Sequence, residues 1–178
     1  ARAPLVVFVH GGPIGSWVGW HWRWNAHLLA ERGYAVLMPD PALSTGYGQE
    51  YLARGWGKWG STIYEDVIAA VDGALARSDL DATRTALMGG SFGGYMANWV
   101  AGHTDRFRCI VTHASLWQLG GFYGTTDHGP WWEQEFGNPF EDDRVYREND
   151  PAASIGRIRT PMLVIHGELD HRVPVSEG

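Results

Sequence analysis

The sequence predicts an α/β fold in which a mostly parallel sheet carries helices on both faces. Five short apolar segments have the composition of strands, at residues 4–9, 34–38, 84–88, 107–113 and 161–165. Between them lie segments in which apolar residues recur at helical spacing, so strands and helices alternate along the chain. At 178 residues the sequence suits a single domain with a substantial core.

Composition and charge disfavour several classes of protein. With 44% apolar and 19% charged residues the composition is globular, and no apolar run is long enough to cross a membrane. A net charge of -6 disfavours nucleic acid and anionic membrane surfaces as partners. Because Cys109 is the single cysteine, the chain cannot form an internal disulfide, and a cytoplasmic location is favoured. Cys109 itself is expected to be a buried structural thiol.

The first strand leads directly into a His-Gly-Gly-Pro loop at residues 10–13. At the carboxyl end of a parallel strand, the glycines Gly11 and Gly12 would let backbone N–H groups face an oxyanion without obstruction by a side chain. A simple glycine turn is the alternative.

Two helices are predicted before the central strand. Residues 20–32 carry apolar side chains at helical spacing and end at Gly33, a C-cap before the strand at residues 34–38. Residues 62–65 match a capping box, and the apolar residues that follow Tyr64 share one helical face.

The third strand runs into Gly-Gly-Ser-Phe-Gly at residues 89–93, and a helical segment at residues 95–101 follows. A serine on a sharp strand-to-helix turn needs small neighbours, because its own backbone is strained and the flanking chain passes close by. The helix that begins there directs its free N–H groups and positive dipole end at an oxyanion forming nearby. Ser91 is therefore the candidate nucleophile, and a glycine-rich turn with an incidental serine is the alternative.

Residues 115–140 contain aromatic side chains at high density among glycines and acidic residues. They form either a local cluster that holds an irregular insertion together or a hydrophobic pocket that faces the serine. The pocket is favoured because ligands bind beyond the carboxyl ends of strands in open α/β sheets. The aromatic residues are Trp117, Phe122, Tyr123, Trp131, Trp132 and Phe136.

The last strand, at residues 161–165, is followed within a few residues by Asp170. That is the position of the acid in a nucleophile-elbow triad, whose chain order is serine, acid, histidine. Its role would be to hold an imidazole in the correct tautomer and to stabilise the imidazolium. Glu168 is the competing carboxylate, and a turn aspartate without a catalytic role is the other alternative.

The chain resembles the catalytic domain of the prolyl oligopeptidase family of serine peptidases, especially its dipeptidyl-peptidase and acylaminoacyl-peptidase-like branch. Four segments carry the resemblance, in the expected order and over nearly the whole chain: residues 10–13, 56–67, 89–96 and 166–174. The third and fourth are specific, whereas the first occurs widely among α/β-hydrolases. The resemblance implies the α/β-hydrolase fold.

The same resemblance implies roles for individual residues. Ser91 would be the nucleophile and Asp170 the acid of the triad, and the oxyanion hole would use the backbone N–H of Phe92 and of Gly11 or, more in keeping with the family, Gly12. Arg172, two residues after the acid, would meet the substrate backbone. The pocket for the residue before the scissile bond would be lined by Phe92, Trp117 and Trp131 or Trp132.

The sequence departs from the family pattern in two respects. The catalytic histidine should follow Asp170 after a further helix, whereas His171 is the only histidine after Asp170 in this chain and is poorly placed; His113 and His166 are the remaining substitutes. Nothing corresponds to the family's N-terminal β-propeller. Residues 1–178 are therefore expected to be a partial catalytic domain, truncated at both ends and nearly inactive alone.

These observations predict a serine peptidase that hydrolyses short peptides near the N-terminus without a metal or an organic cofactor. The expected partners are short peptide substrates, not nucleic acid or membrane, and the full-length protein is a possible homo-oligomer. A carboxylesterase, which would share the catalytic parts, and a non-catalytic hydrolase-fold binding module are the alternative functions.

Overall fold

The computed structural model describes residues 2–178 and contains a five-stranded sheet. Its strands are β1 Ala3–Val9, β2 Ala35–Leu37, β3 Leu80–Gly90, β4 Cys109–His113 and β5 Met162–Ile165. All neighbouring strands run parallel, in the order β2-β1-β3-β4-β5, which places β3 at the centre. The parallel α/β sheet predicted from the sequence is thus confirmed.

Helices connect the strands, as parallel pairing requires. The α-helices are α1 His27–Ala30, α2 Gln49–Gly55, α3 Tyr64–Leu75, α4 Phe92–His103, α5 Leu119–Thr125, α6 Gly129–Phe136 and α7 Arg144–Glu148. A π-helical turn, Trp59–Ile63, runs into α3, and 3₁₀ turns occupy Pro151–Arg157 and Val175–Glu177. None of the helices among residues 2–178 has the length and apolar character needed to cross a membrane.

Two predictions about the helices before the central strand are wrong. Only His27–Ala30 of the expected helix at residues 20–32 is helical. The tertiary packing of two tryptophans holds the preceding segment in an irregular path: the Trp17 indole donates to the carbonyl of Phe8, and Trp24 packs edge-on against Phe8. The capping box before α3 is also absent, because the π-helical turn continues directly into that helix without a side-chain cap.

The core lies where α4 packs on the centre of the sheet. Every residue of α4 from Phe92 to Gly102 is buried, and the fully buried aromatic rings of Trp59, Phe92 and Tyr95 contact one another beside it. A helix that is buried all round fixes its own N-terminus firmly against the sheet. The end of β3 and the start of α4, where Ser91 lies, are therefore held by this buried packing.

The sheet is less well covered towards β5. Leu163, Val164 and Ile165 are 57%, 49% and 44% exposed, although all three are apolar. Cys109, predicted to be buried, is exposed instead. It begins β4 next to an open surface depression that Tyr34 and Arg108 also line, so that packing does not enclose the thiol.

Candidate active site

Ser91 occupies a sharp turn between β3 and α4. Its backbone dihedrals, φ 58° and ψ -121°, lie in a region that residues with a side chain rarely adopt. The Ser91 N–H donates to the carbonyl of His113 at 2.9 Å, and the Ser91 carbonyl accepts from the N–H of Tyr95 at 2.9 Å. The turn is therefore held at both ends while the side chain remains partly accessible.

Glycines on either side of Ser91 permit this turn. A Cβ added to Gly93 would lie 2.2 Å from the Val9 carbonyl oxygen, and one added to Gly89 would lie 2.3 Å from the Gly93 carbonyl oxygen. Backbone atoms cannot yield to such contacts, so α4 can approach β1 and β3 this closely only with glycine at both positions. The small neighbours that the sequence pattern required have a direct steric cause.

Two pockets meet at Ser91, and Gly12 and Arg172 also line both of them. The first, of about 370 Å³, is an aromatic pocket in which Phe92, Trp131 and Trp132 lie beside Ser91. The rest of its lining is Gly12, Ile14, Leu116, His128, Arg172 and Val173. The second, of about 430 Å³, runs along the end of β1 towards Trp24 and contains more polar groups, among them His10, Ser16 and Arg23. A substrate bound across Ser91 can thus extend in two directions.

The loop after β1 brings backbone donors to the same place. A Cβ added to Gly11 would lie 3.3 Å from the Ser91 Cβ, so this loop passes close to the serine. Gly12, at φ 138°, adopts a conformation that favours glycine. The first N–H groups of α4, beginning at Phe92, have no partner within the helix because they precede its first hydrogen-bonded turn. Phe92 and Gly12 line the same pocket as Ser91, which suits two N–H donors around one oxyanion.

His10 fixes the orientation of this loop. Its Nδ1 lies 2.7 Å from the Gly11 carbonyl oxygen, and its Nε2 lies 2.8 Å from the Ser44 hydroxyl. A carbonyl can only accept, so Nδ1 carries the proton and Nε2 accepts from Ser44. In a trans peptide the C=O and N–H point to opposite sides, and the Gly12 N–H is therefore directed away from the His10 ring.

Burial keeps His10 in this neutral form. The residue is 5% exposed and Ser44 is fully buried. Desolvation lowers the pKa of His10 below its ordinary value, and the opposing effects of the Gly11 hydrogen bond and of Asp40, whose carboxylate lies 3.7 Å away, are smaller. Sequence reasoning identified the His10–Pro13 loop but gave no role to the His10 side chain or to Ser44, since only the fold brings Ser44 to the imidazole.

Asp170 lies in the loop after β5. Its Oδ1 accepts from the backbone N–H groups of Arg172 at 3.0 Å and Val173 at 2.9 Å, which leaves Oδ2 available to another donor. The buried carboxylate of Glu177 anchors the end of this loop by accepting from the N–H groups of Trp117 and Gln118, both at 2.8 Å. Burial raises the pKa of Glu177.

The structure brings seven of the nine predicted site residues to the two pockets, whereas Asp170 and Trp117 line neither of them. Gly11, Gly12, Ser91, Phe92, Trp131, Trp132 and Arg172 all line the two pockets. Trp117, which was predicted to be a pocket residue, lines neither pocket, and its neighbour Leu116 lines the first one. Ile14 and His128 are pocket residues that no sequence pattern indicated.

His113 and His166, the two histidines considered as substitute bases, contact other groups. His166 bonds through Nε2 to the Val173 carbonyl, and the ring of His113 packs edge-on against Trp24. Within residues 2–178 no histidine forms a hydrogen bond with the Ser91 hydroxyl. In the same part of the chain, no group of three or more histidine, cysteine or acidic side chains is placed to hold a metal ion.

Comparison with known proteins extends the likeness over the whole chain. A sequence profile described as the prolyl oligopeptidase family matches residues 20–178. A probable dipeptidyl-peptidase 5 of Emericella nidulans is 39% identical, over 98% of this chain and 25% of its own length. An uncharacterised peptidase of Bacillus subtilis is 37% identical, over 98% of this chain and 27% of its own length. The chain thus spans about a quarter of the length of these curated relatives.

Solved structures agree with the sequence comparison. An acylaminoacyl peptidase bound to Z-Gly-Gly-Phe-chloromethyl ketone superposes with a TM-score of 0.92 at 29% identity, over 99% of this chain and 29% of that structure. A puromycin hydrolase superposes with a TM-score of 0.88 at 31% identity, over 99% of this chain and 27% of that structure. The sheet, its helices and the turn at Ser91 form an α/β-hydrolase fold, and the chain belongs to the prolyl oligopeptidase family.

Proposed function

We propose that the protein is a serine peptidase that hydrolyses short peptides near their N-termini, with Ser91 as the nucleophile. The observation that carries the proposal is the placement of Ser91 on a strained turn where two pockets meet, in a pocket that Gly12 and Phe92 also line. Names of relatives support the substrate class, since they include dipeptidyl-peptidase 5 and acylaminoacyl peptidase.

In the proposed reaction the Ser91 oxygen bonds to the scissile carbonyl carbon while its proton passes to a histidine. The carbonyl oxygen becomes an oxyanion that accepts hydrogen bonds from Gly12 and Phe92. Collapse breaks the C–N bond, and the histidine returns the proton to the leaving amine. A water molecule then attacks the acyl-enzyme with the same proton transfers, which releases the acid and restores Ser91.

Asp170 is proposed as the acid that orients this histidine, because its Oδ2 is not used by the Arg172 and Val173 amides. In the proposed triad the base is a histidine that follows Asp170 in sequence, according to the chain order serine, acid, histidine. The acyl side chain is proposed to occupy the aromatic pocket, where Trp131 and Trp132 lie with Phe92. The 178-residue chain alone is expected to be nearly inactive.

The test uses the protein made from its natural reading frame. Matched free-amine and N-acetylated aminoacyl anilides, with a short acyl ester beside them, are assayed for the wild type, Ser91→Ala and the exposed control Ser78→Ala. We expect anilide cleavage and fluorophosphonate labelling that only Ser91→Ala abolishes, and the preferred N-terminus distinguishes the two peptidase branches. Ester cleavage alone would favour a carboxylesterase, and no reaction or labelling at all would favour a non-catalytic binding module.

A further inference from the structure

If the protein cleaves peptides at Ser91, as proposed above, we infer that Asp127 is a specificity-determining residue. It acts through Arg172: its carboxylate sets the position of the Arg172 guanidinium beside Ser91 and thereby favours peptides over simple esters. Asp127 lies just before α6, the helix that carries the two pocket tryptophans, and no sequence pattern singled it out.

The contact between the two side chains is direct. Arg172 Nε donates to Asp127 Oδ1 at 2.5 Å. This hydrogen bond lowers the pKa of Asp127, as do the guanidinium charge and, to a smaller extent, His128 and His171, so the carboxylate stays ionised across the neutral range. Of these three basic side chains, Arg172 is the one that forms a hydrogen bond with the Asp127 carboxylate.

The geometry of this bond leaves Arg172 able to bind substrate. A guanidinium has donors on Nε and on both terminal nitrogens, and Asp127 uses only the Nε side. Within residues 2–178 the terminal nitrogens form no hydrogen bond, and Arg172 lines both pockets that meet at Ser91. A peptide offers backbone carbonyls to these two donors on the acyl side of the scissile bond, whereas a short acyl ester has none there.

Two further hydrogen bonds hold the same segments together. The Thr126 hydroxyl donates to the Arg172 carbonyl at 2.7 Å, and the Asp127 N–H donates to the His171 carbonyl at 3.1 Å. The Arg172 backbone is in turn held by Asp170, to which its N–H donates. With its backbone fixed on both sides, Arg172 has only its long side chain left to order, and the Asp127 carboxylate is the group placed to do so.

The test compares Asp127→Asn, Arg172→Ala and the double variant in the protein made from its natural reading frame. Because the pair is about half exposed, we expect Asp127→Asn to raise KM for peptide anilides about fivefold, with kcat and ester hydrolysis nearly unchanged. Arg172→Ala should raise KM for peptide anilides more than about tenfold, because it removes a charged hydrogen-bond donor to the substrate. In the Arg172→Ala background Asp127→Asn should have no further effect, and Asp127→Glu should restore part of the loss.

Asp143→Asn is the matched control. It removes the same charge from an exposed aspartate paired with Arg147 on α7, so it reports any general effect of net charge on substrate binding. Binding of an uncleaved peptide to Ser91→Ala protein, with and without Asp127→Asn, is measured by calorimetry as a readout that does not need turnover. We expect the same loss of about fivefold in affinity.

Several results would overturn the inference. They are an equal effect of Asp127→Asn on ester and peptide, an additive effect in the Arg172→Ala background, an effect matched by Asp143→Asn, or no binding of peptide by Ser91→Ala protein. If peptides bind in an Asp127-dependent way but are never cleaved, the role of Asp127 stands and the proposed peptidase function fails.

Discussion

Exchange of His10 for asparagine or for glutamine separates the roles of its two ring nitrogens. The asparagine amide nitrogen lies near the position of Nδ1 and can still donate to the Gly11 carbonyl. The glutamine amide reaches the position of Nε2, so it can meet the Ser44 hydroxyl but leaves the Gly11 carbonyl without its donor. If the Gly11 hydrogen bond orients the Gly12 N–H, asparagine should preserve activity far better than glutamine.

The size of the effect follows from the oxyanion hole. Loss of one well-placed donor reduces kcat about 10²- to 10³-fold, equivalent to about 3–4 kcal/mol of transition-state stabilisation. His10→Gln should approach this loss because the Gly11–Gly12 peptide is no longer held, and His10→Asn should lose about tenfold or less. KM should change little in both, since the oxyanion forms only after the substrate has bound.

Steady-state hydrolysis of a peptide anilide by the protein from its natural reading frame measures both constants. Thr45→Val is the matched control: it removes the hydroxyl that bonds to Ser16 on the same loop without touching His10. Folding of each variant is checked by its denaturation midpoint. Equal losses for His10→Asn and His10→Gln, or a change confined to KM, would refute the role assigned to the Gly11 hydrogen bond.

Three other predictions concern stability and association. Gly93→Ala should lower the free energy of unfolding by about 3 kcal/mol, because its Cβ would meet the Val9 carbonyl. Gly73→Ala on α3, where an added Cβ has nothing within 4 Å, should raise the free energy of unfolding by about 0.5–1 kcal/mol. Equal effects of the two substitutions in urea denaturation would contradict this. The folded-state pKa of His10 lies below 6.5, so the unfolded chain takes up protons more readily as the pH falls through that value. Stability should therefore decrease on acidification, by at most about 1.4 kcal/mol per pH unit for this one group, and His10→Asn should flatten the dependence of the urea midpoint between pH 7 and 5.5. Because β5 exposes three apolar side chains, the isolated 178-residue chain should self-associate, and Leu163→Lys should reduce the light scattering that reports it.

The fold and much of the site could be predicted from local patterns. A serine among glycines between a strand and a helix defines a turn by steric need alone, and the contacts of Gly89 and Gly93 bear out that need. Alternating strands and helices likewise predict a parallel sheet with its loops gathered at one edge, which brings residues from the loops after β1 and β3 to one place.

Predictions failed where packing between distant segments outweighs local preference. The helix expected at residues 20–32 is mostly irregular because Trp17 and Trp24 are held against Phe8. Trp117 has the aromatic character of a pocket residue, but it lines neither pocket, and its backbone N–H bonds to the distant Glu177. These contacts lie outside the range of a helical repeat: Trp17 is nine positions from Phe8, and Glu177 is 60 positions from Trp117.

The sequence by itself determined the parallel α/β fold, the strained turn at Ser91 and the family, because each depends on residue types at short, fixed spacing. Only the tertiary structure decided which side chains meet. The Ser44–His10 pair beside the glycine loop after β1 and the Asp127–Arg172 pair beside the pocket join segments 34 and 45 positions apart. Such pairs leave no periodic pattern in a single sequence, since hydrogen bonding and burial select them only after the sheet has brought its loops together.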